Sequence, residues 1–227
     1  MNSTSIENCI NYMTFCMQFS IRITAKNCNL NNAVIHNSVY SPEEDSYFLS
    51  EILKKQLNKI KEEDKINLKF LEIGSGSGIQ LEAAINSGIK KQNIFSCDIN
   101  PEAVKHCKSL GFNCIKSDLF SNIKNKRKDK DKFGKFDIII FNPPYLPEDK
   151  FDKIINNKDV SGGKKGDETI IKFLKQAKHY LNKGGFIILL TSSLTPKINF
   201  KEYNYKPKLL KNKKLFFEEI YIWELKI

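Results

Sequence analysis

Glu72-Ile73-Gly74-Ser75-Gly76-Ser77-Gly78 lies between an apolar run, Ile66 to Ile73, and an amphipathic stretch, Ile79 to Asn86. The run reads as a buried strand and the stretch as a helix, so the glycines occupy a strand-to-helix turn. Glycine at such a turn permits a tight backbone and close approach of a ligand. The spacing is G-x-G-x-G, not G-x-G-x-x-G, and no Gly-Lys-Ser/Thr follows, which disfavours a phosphate cradle. Glu72 agrees with this: its carboxylate would repel a diphosphate but suits a cationic amino-acid ligand.

Outward from this turn, short apolar runs alternate with helical patterns. Asn93 to Cys97 is a second strand, and Asn100-Pro101 opens a helix with Asn100 as N-cap and Pro101 at the first helical position. Asn113 to Ser117 is a short third strand. Phe136 to Phe141 is continuously apolar but for Asp137, as expected of a central parallel strand covered on both faces. Thr169 to Leu181 has helical spacing, and Gly184-Gly185 is read as its stop before a strand at Phe186 to Leu190. Leu215 to Leu225 is strand-like and aromatic. This alternation predicts an α/β fold, a doubly wound sheet. The domain is expected over residues 38–227, behind a poorly ordered extension over 1–37.

Two further acids follow strands. Asp98 ends the second strand, 24 residues after Gly74, where a carboxylate can accept both hydroxyls of a ribose. Asp118-Leu119-Phe120 follows the third, where a carboxylate can accept from an adenine amino group while apolar neighbours cover the ring. The bland alternative is that both acids cap the next helix.

Asn142-Pro143-Pro144-Tyr145 directly follows the central strand, at the carboxyl edge where open parallel sheets bind ligands. Proline lacks an N–H, so this turn presents carbonyl oxygens without competing donors. Residues before proline are pushed to extended backbone, which fixes Asn142 and Pro143. The Asn142 side-chain oxygen and the Pro143 carbonyl can then accept both hydrogens of an –NH2 group, with Tyr145 as a stacking face. Two such acceptors stabilise positive character growing on a planar nitrogen as it attacks an electrophile.

The chain has 227 residues and a formal net charge of +11. Lys124 to Lys135 carries seven basic and two acidic residues, and Lys197 to Lys214 seven and one, which accounts for the whole excess. Both runs read as solvated loops before they read as a nucleic-acid surface. The six cysteines form no C-x-x-C pair, which argues against a zinc ribbon and, in a chain of this size, for reduced thiols in a cytoplasmic compartment. No apolar run is long enough to span a membrane, and no metal site is expected.

Five ordered motifs resemble the HemK family, and more closely its short archaeal and eukaryotic branch. They are Val39-Tyr40-Ser41-Pro42-Glu43-Glu44-Asp45-Ser46, the Gly-rich turn, Asp98 to Ala103, Phe141 to Tyr145, and Gly162-Gly163-Lys164-Lys165-Gly166. The resemblance implies a class I methyltransferase (Rossmann-like) sheet, mostly parallel with an antiparallel last strand. It implies transfer of a methyl from S-adenosylmethionine to the glutamine amide in the Gly-Gly-Gln motif of a class I translation release factor. Tyr40, Ser46, Glu72, Gly74, Gly76, Gly78, Asp98, Asp118, Leu119 and Asn142 would then contact the cofactor, while Asn142, Pro143, Pro144 and Tyr145 clamp the glutamine.

The short branch works with a small zinc-ribbon activator subunit, expected here to add to the third strand at the sheet edge. The helical N-terminal substrate domain of bacterial HemK enzymes is expected to be missing. One departure concerns the helix after the fifth strand: Pro207 interrupts the 18 residues between Pro196 and Leu215, so that helix is expected to be short or lost. The Lys206–Lys214 run is expected to form the turn into the last strand, on the catalytic side. The main rival is adenine-N6 methylation of a nucleic acid, since adenine also offers a planar –NH2. Protein lysine methylation would need a base that the sequence does not offer.

Overall fold

The computed structural model describes residues 39, 41–123, 134–145, 165–216 and 218–227. Within them, β1 (Phe70–Ile73), β2 (Ile94–Asp98), β3 (Asn113–Lys116), β4 (Phe136–Phe141), β5 (Leu181–Ser192), β6 (Lys206–Lys214) and β7 (Glu219–Lys226) form one sheet. Its order is β3-β2-β1-β4-β5-β7-β6. The neighbours from β3 to β5 pair in parallel, and β7 runs antiparallel to both β5 and β6. The strand order turns back between β1 and β4, which opens a crevice at their carboxyl ends.

Alternation along each strand assigns its side chains to two cores. On β4, Ile138 and Ile140 pack with α1 (Glu44–Leu57), α3 (Ile79–Asn86) and α4 (Pro101–Ser109). Ile139 and Phe141 pack on the other face with α5 (Glu168–Ala177). Ile170, Phe173, Leu174 and Ala177 form the buried stripe of α5, at the spacing that amphipathicity requires. Each large apolar side chain so buried contributes about 1.5–3 kcal/mol before chain entropy is counted. Asn100 caps α4 as read from sequence, its Oδ1 accepting the Glu102 N–H at 2.9 Å.

Several boundaries differ from expectation. β1 begins at Phe70, not Ile66, because the one-turn α2 (Glu62–Lys65) ends against Ile66 and leaves it exposed. Gly184-Gly185 does not stop α5, which ends at Ala177; both glycines lie inside β5. The β4–β5 register jumps there, from Phe136↔Leu181 to Ile138↔Phe186. A Cβ on Gly185 would sit 2.6 Å from the Asp137 carbonyl oxygen, so the residue serves close backbone approach.

The lysine run Lys206–Lys214 is not a turn but the whole of edge strand β6. Edge strands accept proline and lysine because one row of backbone groups faces water. β6 ends at Lys214, and β7 starts at Glu219 instead of Leu215. The helix before β6 is indeed gone, replaced by a single 3-10 turn, Phe200–Tyr203. Phe200 packs against Trp223 (ring centroids 5.3 Å apart), and the buried Tyr205 hydroxyl donates to the Leu174 carbonyl at 2.9 Å. The expected extension over 1–37 and most of the Lys124–Lys135 run lie outside the described residues.

Candidate active site

Strand register gathers the motifs before any side chain is considered. Ile73 of β1 pairs with Cys97 on one side and Phe141 on the other. One residue further along, Gly74, Asp98 and Asn142 therefore stand in one row at the carboxyl edge.

Gly74, Gly76 and Gly78 all have positive φ (69°, 45° and 81°), which explains glycine at all three positions. The Gly74 and Ser75 N–H groups donate to the Cys97 carbonyl, at 2.8 and 3.2 Å, locking the turn to β2. Asp98 is buried and holds the same turn: its Oδ2 accepts the Gly76 N–H at 2.9 Å and its Oδ1 the Asn100 N–H at 2.8 Å. Asp98 thus braces both the glycine turn and the approach to α4. Glu72 is buried beside it, with Oε2 lacking any hydrogen-bond partner. Burial pushes its carboxyl well above the usual range, and the Asp98 and Cys114 charges add to that. An orphaned buried carboxyl oxygen fits a cationic donor.

Asn142 is held by α1. Its Nδ2 donates to Asp45 Oδ2 at 2.9 Å and lies 3.5 Å from Ser46 Oγ. Its Oδ1 is buried and has no hydrogen-bond partner. Asp45 is itself buried, and its Oδ1 accepts the Ser46 N–H at 2.6 Å. The Ser46 carbonyl accepts Gln80 Nε2 at 2.9 Å, tying the start of α1 to the helix that follows the glycine turn. Tyr145, partly buried against both cores, donates its hydroxyl to Glu218 Oε1 at 3.3 Å. Ser192 Oγ donates to the other Glu218 oxygen.

Asp118 is half-exposed and ion-paired with Lys172 Nζ at 2.5 Å. Leu119 is buried with φ 48°, and its carbonyl accepts the Cys97 thiol at 3.3 Å. Pro143 is buried and Pro144 partly so. Tyr40 and residues 162–164 lie outside the described residues. Sequence reading missed Asp45, Gln80, Lys172 and Glu218. Asp45 stood inside a quoted motif, and its place beside Ser46 was the available signal. Nothing local marks Glu218, which the antiparallel return of β7 carries to the crevice.

An Eco57I restriction-modification methylase family model matches residues 92–223. That span contains the Asn-Pro-Pro-Tyr segment but not the glycine turn. A Methanocaldococcus jannaschii protein named as a protein N5-glutamine methyltransferase is 37% identical over 84% of this chain and 94% of its own length. The eRF1 methyltransferase catalytic subunit of Schizosaccharomyces pombe is 31% identical over 67% of this chain and 71% of its own. Among solved structures, the E. cuniculi Mtq2–Trm112 complex, responsible for methylating the eRF1 termination factor, superposes with a TM-score of 0.61. It covers 83% of this chain and 98% of its own at 23% identity, a likeness of fold.

Proposed function

The chain belongs to the protein N5-glutamine methyltransferase family, and from that premise we propose that it methylates the side-chain amide of a glutamine in a translation release factor. The single observation that carries methylation of a planar –NH2 is the orphaned, buried Asn142 Oδ1, aimed by Asp45, and the relatives select the glutamine amide. S-adenosylmethionine supplies an electrophilic methyl when bound. The residues present fit it: the orphaned Glu72 Oε2 would accept from its ammonium, the positive-φ glycines would keep the turn tight beside it, and Asp98 would accept from its ribose hydroxyls. Ser46, Leu119 and Asp118 would hold the remainder, Asp118 being the half-exposed carboxylate that pairs with Lys172. Tyr40 completes the set by resemblance alone.

An amide nitrogen is a poor nucleophile, so the protein's task is placement and charge stabilisation. Asn142 Oδ1 and the Pro143 carbonyl accept its two hydrogens, Pro144 stiffens the turn, and the Tyr145 ring stacks on the amide plane. No base is needed before attack. An adenine –NH2 would satisfy the same acceptors, and the Eco57I match covers the portion such enzymes share with this one. The relatives that span the whole domain favour the amide.

We also propose a small activator subunit of zinc-ribbon type, docked on β3. Among the described residues neither outer strand has a pairing partner on its outer side, but the two differ. β6 carries five lysines and Pro207, which blunt pairing with another chain. β3 carries one lysine and has exposed Ile99 and Leu110 nearby, so it is the edge left for strand addition. The compartment is proposed to be the cytoplasm, where translation factors work; among the described residues no helix is long and apolar enough to cross a membrane.

The test is methyl transfer from labelled S-adenosylmethionine, with activator present, to a release factor, to its Gly-Gly-Gln glutamine-to-asparagine variant, and to DNA. Label on the release factor alone is expected. Label on DNA or on the variant would overturn the amide reading.

A further inference from the structure

We propose that Glu218 is a positioning residue of the clamp, acting on the substrate through the Tyr145 ring. The inference rests on reading Asn142–Tyr145 as an amide clamp. A tyrosine anchored only at its Cβ can change rotamer, and its face would then meet a flat substrate at varying angles. Here the ring is fixed at both ends: the Pro-Pro turn sets its root, and Glu218 Oε1 accepts its hydroxyl at 3.3 Å. Glu218 is fixed in turn. Ser192 Oγ donates to its other oxygen, and its own carbonyl accepts the Leu215 N–H at 2.8 Å, closing the β6–β7 turn. The adjacent β5–β7 pairing adds the Ser193 N–H to the Glu219 carbonyl at 2.8 Å. The carboxyl therefore stands at the foot of β7, tied by these bonds to β5 and to the end of β6.

Its surroundings also set its charge. Ser192 faces it from β5, Tyr145 from the segment after β4, and Asp45 from α1; the next carboxyl, Glu219, turns instead to Asn212 and Tyr221. Burial raises the Glu218 carboxyl above its ordinary value and Asp45 adds to that, while the two hydroxyls oppose it. The ionised group accepts from both hydroxyls. Protonation turns one acceptor into a donor, so the ring loses its hold as pH falls through that raised value.

The experiment measures kcat and KM for methyl transfer to the release factor across pH, using wild type, Glu218→Ala, Glu218→Gln, Tyr145→Phe and the paired variants. Glu218→Ala is expected to lower kcat on the order of tenfold or more, with S-adenosylmethionine affinity unchanged. Glu218→Gln, which like the protonated acid offers one acceptor and one donor, should hold kcat near the wild type's acid-limb level at all pH and so flatten that limb. Either Glu218 change made in Tyr145→Phe should add less than about twofold, since the hydroxyl it acts through is already gone. If Glu218→Ala does not fold, the near-isosteric Gln variant carries both the pH profile and the paired measurement. Multiplicative losses, or an acid limb that persists in Glu218→Gln, would overturn the inference. A wild type that labels no release factor sinks the amide reading and this inference with it. An active wild type whose kcat is matched by every Glu218 variant sinks the inference alone.

Discussion

Asp45 Oδ2 accepts the Asn142 side-chain N–H at 2.9 Å, and this contact decides which end of the Asn142 amide faces the crevice. A carboxylate can only accept, so the amide nitrogen must turn toward α1 and the oxygen toward the substrate. Asp45→Asn removes that compulsion, because an amide can pair with Asn142 in either orientation. The variant is expected to lose about 10–100-fold in kcat, the scale of a displaced transition-state contact. Single-turnover methyl transfer at saturating cofactor checks it; a kcat equal to wild type would remove Asp45 from the mechanism.

Asp98→Ala should cost both fold and ligand. Two backbone N–H groups, of Gly76 and Asn100, lose a charged acceptor. A stability loss of about 2 kcal/mol is expected, with S-adenosylmethionine affinity falling in parallel. Thermal unfolding and calorimetric titration read the two effects separately, and a drop in affinity alone would make the bracing contacts incidental.

Glu72→Gln separates stability from binding. Burial raises the folded-state carboxyl value, so the folded protein holds its proton where the unfolded chain has already lost it. Stability of the ligand-free protein therefore declines as pH rises from the ordinary glutamate range through the raised value. The glutamine variant should lose this slope and be more stable at neutral pH, yet bind the cofactor more weakly. Denaturant midpoints taken across pH give the answer, and a variant with the wild-type slope would assign it to another group.

Charge reversal on β6 should depend on position along the strand. β6 runs parallel to β5, so Lys211 to Lys214 reach the catalytic edge while Lys206 and Lys208 sit at the far end. Lys213 is already paired with Glu44 at 2.6 Å. Changing Lys211 and Lys214 to Glu is expected to raise the release-factor KM severalfold, as expected of lost electrostatic steering. The same change at Lys206 and Lys208 should not. Equal effects from the two pairs would reduce the run to bulk charge.

What the sequence made legible was whatever one segment determines by itself. Gly74, Gly76 and Gly78 need positive φ, Asn100-Pro101 opens a helix, and the apolar β4 leads straight into Asn142. Each is a local physical demand, readable from neighbours in the chain. The third strand's place at the edge and the antiparallel last strand followed from the family resemblance and agree with the sheet. The misses need distant residues. Gly184-Gly185 reads as a helix stop until the Asp137 carbonyl is brought within 2.6 Å of where a Cβ would stand. Lys206–Lys214 reads as a solvated turn because charge and proline argue against a central strand, and an edge strand escapes that argument. Glu218 becomes a partner of Tyr145 only when the fold brings together positions 73 apart in the chain.

The hydrogen bond from Gln80 to the Ser46 carbonyl joins the helix behind the glycine turn to the residue beside Asp45. On the proposed reading, Ser46 on the cofactor's side and Asp45 behind the clamp share one helix start. Any ligand that steadies this junction lowers the cost of ordering it for the other. The enzyme should thus show synergy between its two substrates, and thermodynamic reciprocity makes the factor the same in both directions. Titrating each ligand in the presence and absence of the other measures that factor, and Gln80→Leu should bring it toward one.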